Sequence, residues 1–314
     1  MDHSNPPSLS FFFGGNAWGC IYIVGVYAAL VEHFSLEELK GMKWGGVSSG
    51  ALIALGAALH KPLEDLEGMY NFLANIAEAH GVFGKMSIYH EVVLSKWLPD
   101  GGDEYKLLQG RFFVGVTRPW YQNELVSEFR TNEELKDIIH ASMHIPFYMT
   151  HMAPIRGGWA IDGGFVKNIA KIDGRTVTVG VDRATRDIHP AAKFSLMQIF
   201  FPASAAERVV LAGMGKTDAL AWLRINEPRS KGATTPSSFL PSPTRALECA
   251  AWDGRNDPEE PAVLAVIGWV FRIFEEYPWT FAVLGSFGVA RALQKQGGRS
   301  GGFVGTLFGI KQFW

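Results

Sequence analysis

Residues 43–60 read KWGGVSSGALIALGAALH, and the order of residue types along this stretch decides the fold. Lys43 to Val47 is a short apolar run that turns at Ser48, and Ala51 to His60 is so rich in Ala and Leu that it predicts a mostly buried helix. Toward the N-terminus, Ser8 to Phe13 predicts a buried strand and Gly14 to Gly19 a loop. Cys20 to Phe34 predicts a helix, with Ile21, Val24, Ala28 and Val31 at helical intervals. Two strand–loop–helix units in immediate succession predict an α/β fold with a largely parallel sheet.

Toward the C-terminus, Pro62 to Leu98 has helical periodicity interrupted at Gly81 and Gly84, Arg111 to Thr117 reads as a strand, and Asn123 to Arg130 as a second strand paired nearby. Thr131 then opens a helix as its N-cap, with Glu134 placed to complete a capping box, and that helix stops before Pro146. Trp159 to Ile161 is a brief strand leading into Asp162-Gly163-Gly164, and Thr176 to Val181 is a further strand. These elements suffice for a sheet covered on both faces. Asn226 to Thr244 is rich in Pro, Ser and Thr, which marks residues 226–247 as a linker between a domain at 8–225 and a hydrophobic helical region at 248–314.

Composition narrows the function classes. With 47% hydrophobic residues and 19% charged ones, the 314-residue chain has ample material for a large core. Its 29 Lys and Arg against 31 Asp and Glu give no basic field, so a nucleic-acid partner is not expected. Cys20 and Cys249 form neither a metal pattern nor a disulfide framework, which fits a reducing compartment. The first ten residues lack the features of a secretory signal, and Arg272, Glu275 and Glu276 interrupt the most apolar stretch, 261–290, before it reaches the length of a membrane span.

Three short segments carry chemistry. Gly46-Val47-Ser48-Ser49-Gly50 has the spacing of a nucleophile elbow, and the predicted strand before it and helix after it are the context that geometry requires. Read alone, the same residues also describe an N-cap serine in a glycine-rich turn. Gly14 to Gly19 can form a nest of backbone N–H groups suited to an anion. It lacks both the Gly-Lys-Ser/Thr of a phosphate loop and the Gly-x-Gly-x-x-Gly of a dinucleotide site, and a plain tight turn is the alternative. Asp162-Gly163-Gly164 is by itself a turn; beside a serine elbow it supplies a candidate base, since a carboxylate in a dry site gains basicity.

In this order the three segments resemble the patatin-like phospholipase family. The stretches FGGNAWGCIYIVGV (13–26), GVSSGAL (46–52), GRFFVGVTR (110–118), SMHIPFY (142–148) and GWAIDGGFVKN (158–168), with residues 200–223 beyond them, are similar to its animal-type branch, which includes adipose triglyceride lipase. The resemblance spans residues 10–225. It implies a three-layer α/β/α fold with a mostly parallel central sheet, and hydrolysis of triacylglycerol or glycerophospholipid esters by a Ser–Asp dyad without histidine, metal or organic cofactor. Mapped onto this chain, Ser48 is the nucleophile, Asp162 its base, and the backbone amides of Gly14, Gly15, Asn16 and Ser49 the oxyanion hole, with Gly46 and Gly50 flanking the elbow.

The chain departs from the family where the commoner loop has a third glycine and a basic residue: here Asn16 and Trp18 stand. An asparagine at a glycine position would restrict the backbone and weaken the hole, so a lipid-binding pseudoenzyme is one alternative and an acyltransferase another; on the former, Asn16→Gly should raise activity. Ser48, Asp162 and His189 also stand in the chain order of an α/β-hydrolase triad, though that fold builds several strand–helix units before its elbow. His144 reads as a cleft-lining or a structural histidine. From Arg291 onward, basic residues interleave with Phe303, Phe308, Phe313 and Trp314, a mixture suited either to a lipid interface or to a packed helical pair with a loose tail. The expected partners are a lipid substrate and a membrane or lipid-droplet surface, with a cytoplasmic, peripheral location; a protein coactivator stays open.

Overall fold

The computed structural model describes residues 9–118, 122–145, 148–149, 154–156, 158–165, 171–181 and 186–227. All of them fall in the first of the chain's two units, Met1–Asn256, and the region 248–314 lies outside the described residues, as does the linker from residue 228 onward.

The chain opens with β1 (Ser10–Phe13), a 3-10 turn (Ala17–Cys20), α1 (Ile21–His33), α2 (Leu36–Gly41), β2 (Lys43–Val47) and α3 (Ser49–Ala58). Helices α4 (Leu63–His80), α5 (Met86–Trp97) and α6 (Glu104–Leu108) lead to β3 (Phe112–Arg118), β4 (Gln122–Val126) and α7 (Asn132–Ser142). Short strands β5 (Pro154–Ile155), β6 (Gly158–Trp159) and β7 (Ile161–Asp162) precede β8 (Thr176–Val179), α8 (Leu196–Phe200) and α9 (Ala205–Asn226). The main sheet runs β4-β3-β2-β1-β8, with β7 also paired to β3. Strands β1, β2, β3 and β8 are parallel; β4 and β7 run antiparallel to β3.

Every residue of β1 is buried, as are Trp44 to Val47 of β2, which requires cover on both faces and gives the three-layer α/β/α arrangement. The register explains the choice of side chains: Phe11 lies opposite Trp44, and their rings stack with centroids 5.5 Å apart.

Local differences from the sequence reading have local causes. The run 62–98 is two helices, parted where Gly81 and Gly84 take φ of +81° and +67°, a region that costs glycine nothing. Thr131 does cap α7, accepting the Glu134 N–H, but the box is not closed. The Glu134 carboxylate accepts from the Arg130 N–H at 2.6 Å instead. Full capping boxes occur at Ser35/Glu38, Ser195/Gln198 and Ser204/Glu207, on helices the periodicity did not announce. The predicted strand at 159–161 divides: Trp159 belongs to a separate two-stranded sheet, whereas Ile161 and Asp162 join the main one.

Candidate active site

Ser48 stands between the end of β2 and the start of α3 with φ 53° and ψ −135°, a conformation disfavoured for any residue with a Cβ. The small neighbours make that turn fit. A Cβ on Gly46 would lie 2.5 Å from the Gly50 carbonyl carbon, and one on Gly50 would lie 2.4 Å from the Gly14 carbonyl oxygen. Both elbow glycines therefore let α3 press directly against the ends of β1 and β2.

Asp162 reaches the same point through register. Val47 pairs with Gly115 of β3, and the next residue of β3, Val116, pairs with Asp162 of β7. Strand β7 thus continues the track of β2 where β2 ends, in the opposite direction, and sets Asp162 beside Ser48. Gly163 permits the approach, since a Cβ there would meet the Gly115 carbonyl oxygen at 2.4 Å.

Asp162 is 5% exposed. Burial pushes its pKa up to about 6, against the lowering pull of the Ser48 side chain and of the Gly164 N–H. Oδ1 accepts that N–H at 2.7 Å. Oδ2 is buried with no partner at hydrogen-bond geometry, so the Ser48 hydroxyl adjoins the carboxyl without a fully formed bond to it. The pair sets a serine hydroxyl beside a carboxyl oxygen without a partner, an arrangement able to support proton transfer from one to the other.

The glycine loop sits against Ser48: a Cβ on Gly15 would lie 2.9 Å from Ser48 Cβ. Not all its amides are available. The Gly14 N–H donates to the Val179 carbonyl at 2.7 Å, extending the β1–β8 ladder by one residue, so Gly14 is withdrawn from the predicted donor set. The Asn16 N–H donates to Ser49 Oγ at 3.2 Å. Among the described residues the Gly15 N–H has no acceptor, and the Ser49 N–H, at the first position of α3, has no intrahelical one. These two amides are the donors the geometry leaves for an oxyanion.

Asn16 does not restrict the loop as the sequence suggested. Its φ is −133°, ordinary for any residue, and the left-handed position is Ala17 at φ 42°, a strain of about 1 kcal/mol. The buried Asn16 side chain braces the turn: Nδ2 donates to the Gly14 carbonyl at 3.2 Å, and Oδ1 accepts from the Val181 N–H at 3.3 Å. Asn16→Gly is therefore expected to weaken the site, not to raise activity. Asn16→Ala should lower stability by about 2–3 kcal/mol, because it strands two buried backbone groups; a urea midpoint unchanged from wild type would show that the brace carries nothing. Trp18 is buried as well, its Nε1–H donating to Tyr148 Oη at 2.6 Å and its ring edge-on to Tyr70.

The histidine triad fails on placement. His189 Nδ1 lies 3.1 Å from the Pro190 carbonyl, and its ring interacts electrostatically with Asp218, the partner of the Tyr22 hydroxyl, rather than with Asp162. His144 is buried, and its backbone carbonyl accepts the Asp162 N–H at 3.2 Å. The sequence reading missed Ser142, whose hydroxyl accepts the Ser48 N–H at 2.9 Å, and Arg186, whose guanidinium lies against Gly14. Ser142 was visible only as part of a matched stretch, since a helix-terminal serine announces no distant partner.

The human 1-acylglycerol-3-phosphate O-acyltransferase PNPLA3 is 31% identical over 194 residues, covering 59% of this chain and 40% of its own. The human omega-hydroxyceramide transacylase is 31% identical over 173 residues, 52% of this chain and 31% of its own. The human patatin-like phospholipase domain-containing protein 4 is 29% identical over 188 residues, 56% of this chain and 72% of its own. The chain thus spans less than half the length of the first two. The profile of the patatin-like phospholipases matches residues 11–170, just over half of the 314 residues, from β1 through the Asp162 turn. By that match the chain belongs to the patatin-like phospholipase family.

Proposed function

We propose that the protein is a lipid acyl hydrolase that cleaves ester bonds of triacylglycerols or glycerophospholipids through Ser48 and Asp162. The observation that carries this reading is a strained serine adjoining a buried carboxyl whose pKa is raised to about 6 and whose Oδ2 is uncommitted. In the first half-reaction Asp162 Oδ2 takes the hydroxyl proton as Ser48 Oγ attacks the ester carbonyl. The oxyanion is held by the Gly15 N–H of the glycine loop and the Ser49 N–H at the start of α3. Collapse expels the alcohol, which leaves with the proton from Asp162. A water then repeats the cycle on the acyl-serine and releases the fatty acid.

A second reading is favoured by the names of two relatives, an acyltransferase and a transacylase. If a lipid hydroxyl replaces water at the acyl-serine, the same residues transfer the acyl chain. The site is read as working at a membrane or lipid-droplet surface, with the substrate as its partner; among the described residues no helix is long and apolar enough to cross a membrane.

One experiment tests both readings. One portion of purified protein is treated with a fluorophosphonate probe, and a separate, untreated portion with a radiolabelled triacylglycerol or phosphatidylcholine, with and without 1-acylglycerol-3-phosphate as acceptor. The expected result is probe labelling that Ser48→Ala abolishes, and release of fatty acid. Label moving to the acceptor in place of release would select transfer, and a folded protein that neither takes the probe nor turns over lipid would overturn both.

A further inference from the structure

The Ser48 N–H poses a problem that the end of β2 creates. Strand β2 stops at Val47, opposite Gly115, yet the Gly115 carbonyl is not met by the Ser48 amide directly. A hydroxyl is spliced between them: the Ser48 N–H donates to Ser142 Oγ at 2.9 Å, and that hydroxyl donates to the Gly115 carbonyl at 2.7 Å. Ser142 is fully buried, and both the donor and an acceptor site of its hydroxyl are engaged. The insertion holds Ser48 one hydroxyl's width away from β3. At the very next residue of β3 the vacated edge is taken by β7, through the pairing of Val116 with Asp162. Two residues beyond Ser142, the His144 carbonyl accepts the Asp162 N–H at 3.2 Å. One turn at the end of α7 therefore grips the backbone of both members of the dyad.

We propose that Ser142 is a positioning residue for the reaction: its hydroxyl, spliced into the β2–β3 ladder, holds Ser48 in the strained elbow at the spacing from Asp162 that proton transfer needs. The inference rests on the hydrolase or transferase reading of the site. Removing the hydroxyl lets the elbow relax toward β3, moving Oγ relative to Asp162 and the loop amides while the substrate-binding surface stays as it is. Misplacement of a reacting atom on this scale costs about 10²-fold in rate.

The test is the rate and end point of fluorophosphonate labelling, followed by intact mass, in the full chain. Ser142→Ala is expected to label about 10²-fold more slowly than wild type yet reach the same final fraction, with KM for a short-chain ester within about twofold. Ser142→Thr, which keeps the oxygen, is expected to recover most of the rate. Should Ser142→Ala not fold, Ser142→Cys carries the same comparison, because a thiol fills the space but bonds weakly. An unchanged rate, or a lowered final fraction labelled at the wild-type rate, would overturn the proposal, since the latter is the mark of a merely structural residue. Wild-type protein that takes no label would instead remove the reading of the site itself and the positioning role with it; label lost in Ser48→Ala but indifferent to Ser142 would remove the positioning role alone.

Discussion

Asp162→Asn is expected to abolish turnover, by about 10⁴-fold, and at the same time to stabilise the protein at neutral pH. Both effects come from the same buried carboxyl. Its pKa is raised from 3.8 to about 6, chiefly by desolvation. Between those two values the folded state binds the proton that the unfolded chain releases. Stability therefore falls as pH rises through the window, and above it about 3 kcal/mol has been lost. Asparagine carries no charge to bury, so the melting temperatures of variant and wild type should diverge as pH rises from 4 to 7. The Ser48 hydroxyl beside it can accept from the new amide. For the wild type the sign on activity is opposite: the base must be ionised, so kcat/KM should climb through about pH 6 and level off above it. Full activity in Asp162→Asn would remove the dyad, and parallel melting curves across the pH range would show that no ionisation cost is held at this position.

The second large effect lies away from the chemistry, where α1 crosses α9. A Cβ on Gly25 would stand 1.9 Å from the Ala212 carbonyl oxygen, and one on Gly215 would stand 2.0 Å from the Tyr22 carbonyl oxygen. The obstacles are backbone atoms in the middle of helices, which no side-chain rotation relieves. Next to the crossing the Tyr22 hydroxyl donates to Asp218 Oδ2 at 2.8 Å, fastening the two helices at this separation. Gly25→Ala or Gly215→Ala should each cost about 3–5 kcal/mol, enough to unfold a domain of ordinary stability. Gly213 provides the control within α9: a Cβ there meets nothing within 4 Å, and Gly213→Ala should gain up to about 1 kcal/mol from helix propensity. Denaturant midpoints for the three variants decide the matter, and a Gly25→Ala protein that unfolds with the wild type would contradict the close crossing.

The elements legible in the sequence were those with a strong local pattern. β2 and α3 stand out because an apolar run and an Ala–Leu run meet at a serine between glycines, and the break at Gly81 to Gly84 because glycine tolerates positive φ. The candidate residues Ser48 and Asp162 were legible as motifs and by resemblance. What they touch was not, because it depends on pairing between distant segments. β7 is two residues long and has no periodicity of its own; only its partner β3 makes it a strand. The loss of Gly14 as a donor depends on where β8 ends, and the bracing role of Asn16 on Val181, neither of which a loop's composition reveals. α2, α8 and α9 went unread although each opens with a serine and a Glu or Gln three residues on, a signal that periodicity alone passes over.

Strand β3 acts as a common ruler: the hydroxyl and the acid are each measured from adjacent residues on it, Gly115 and Val116. Distance along the chain between Ser48 and Asp162 has no bearing on their separation in space. The helices between them are tied to both sides of the site, α4 through the Tyr70 hydroxyl on the Trp18 carbonyl and α5 through Glu91 on Lys136 and His140 of α7. A single residue inserted into β3 between Gly115 and Val116 would separate them. It would carry Asp162 about 3.3 Å along the strand and turn it to the opposite face, away from Ser48.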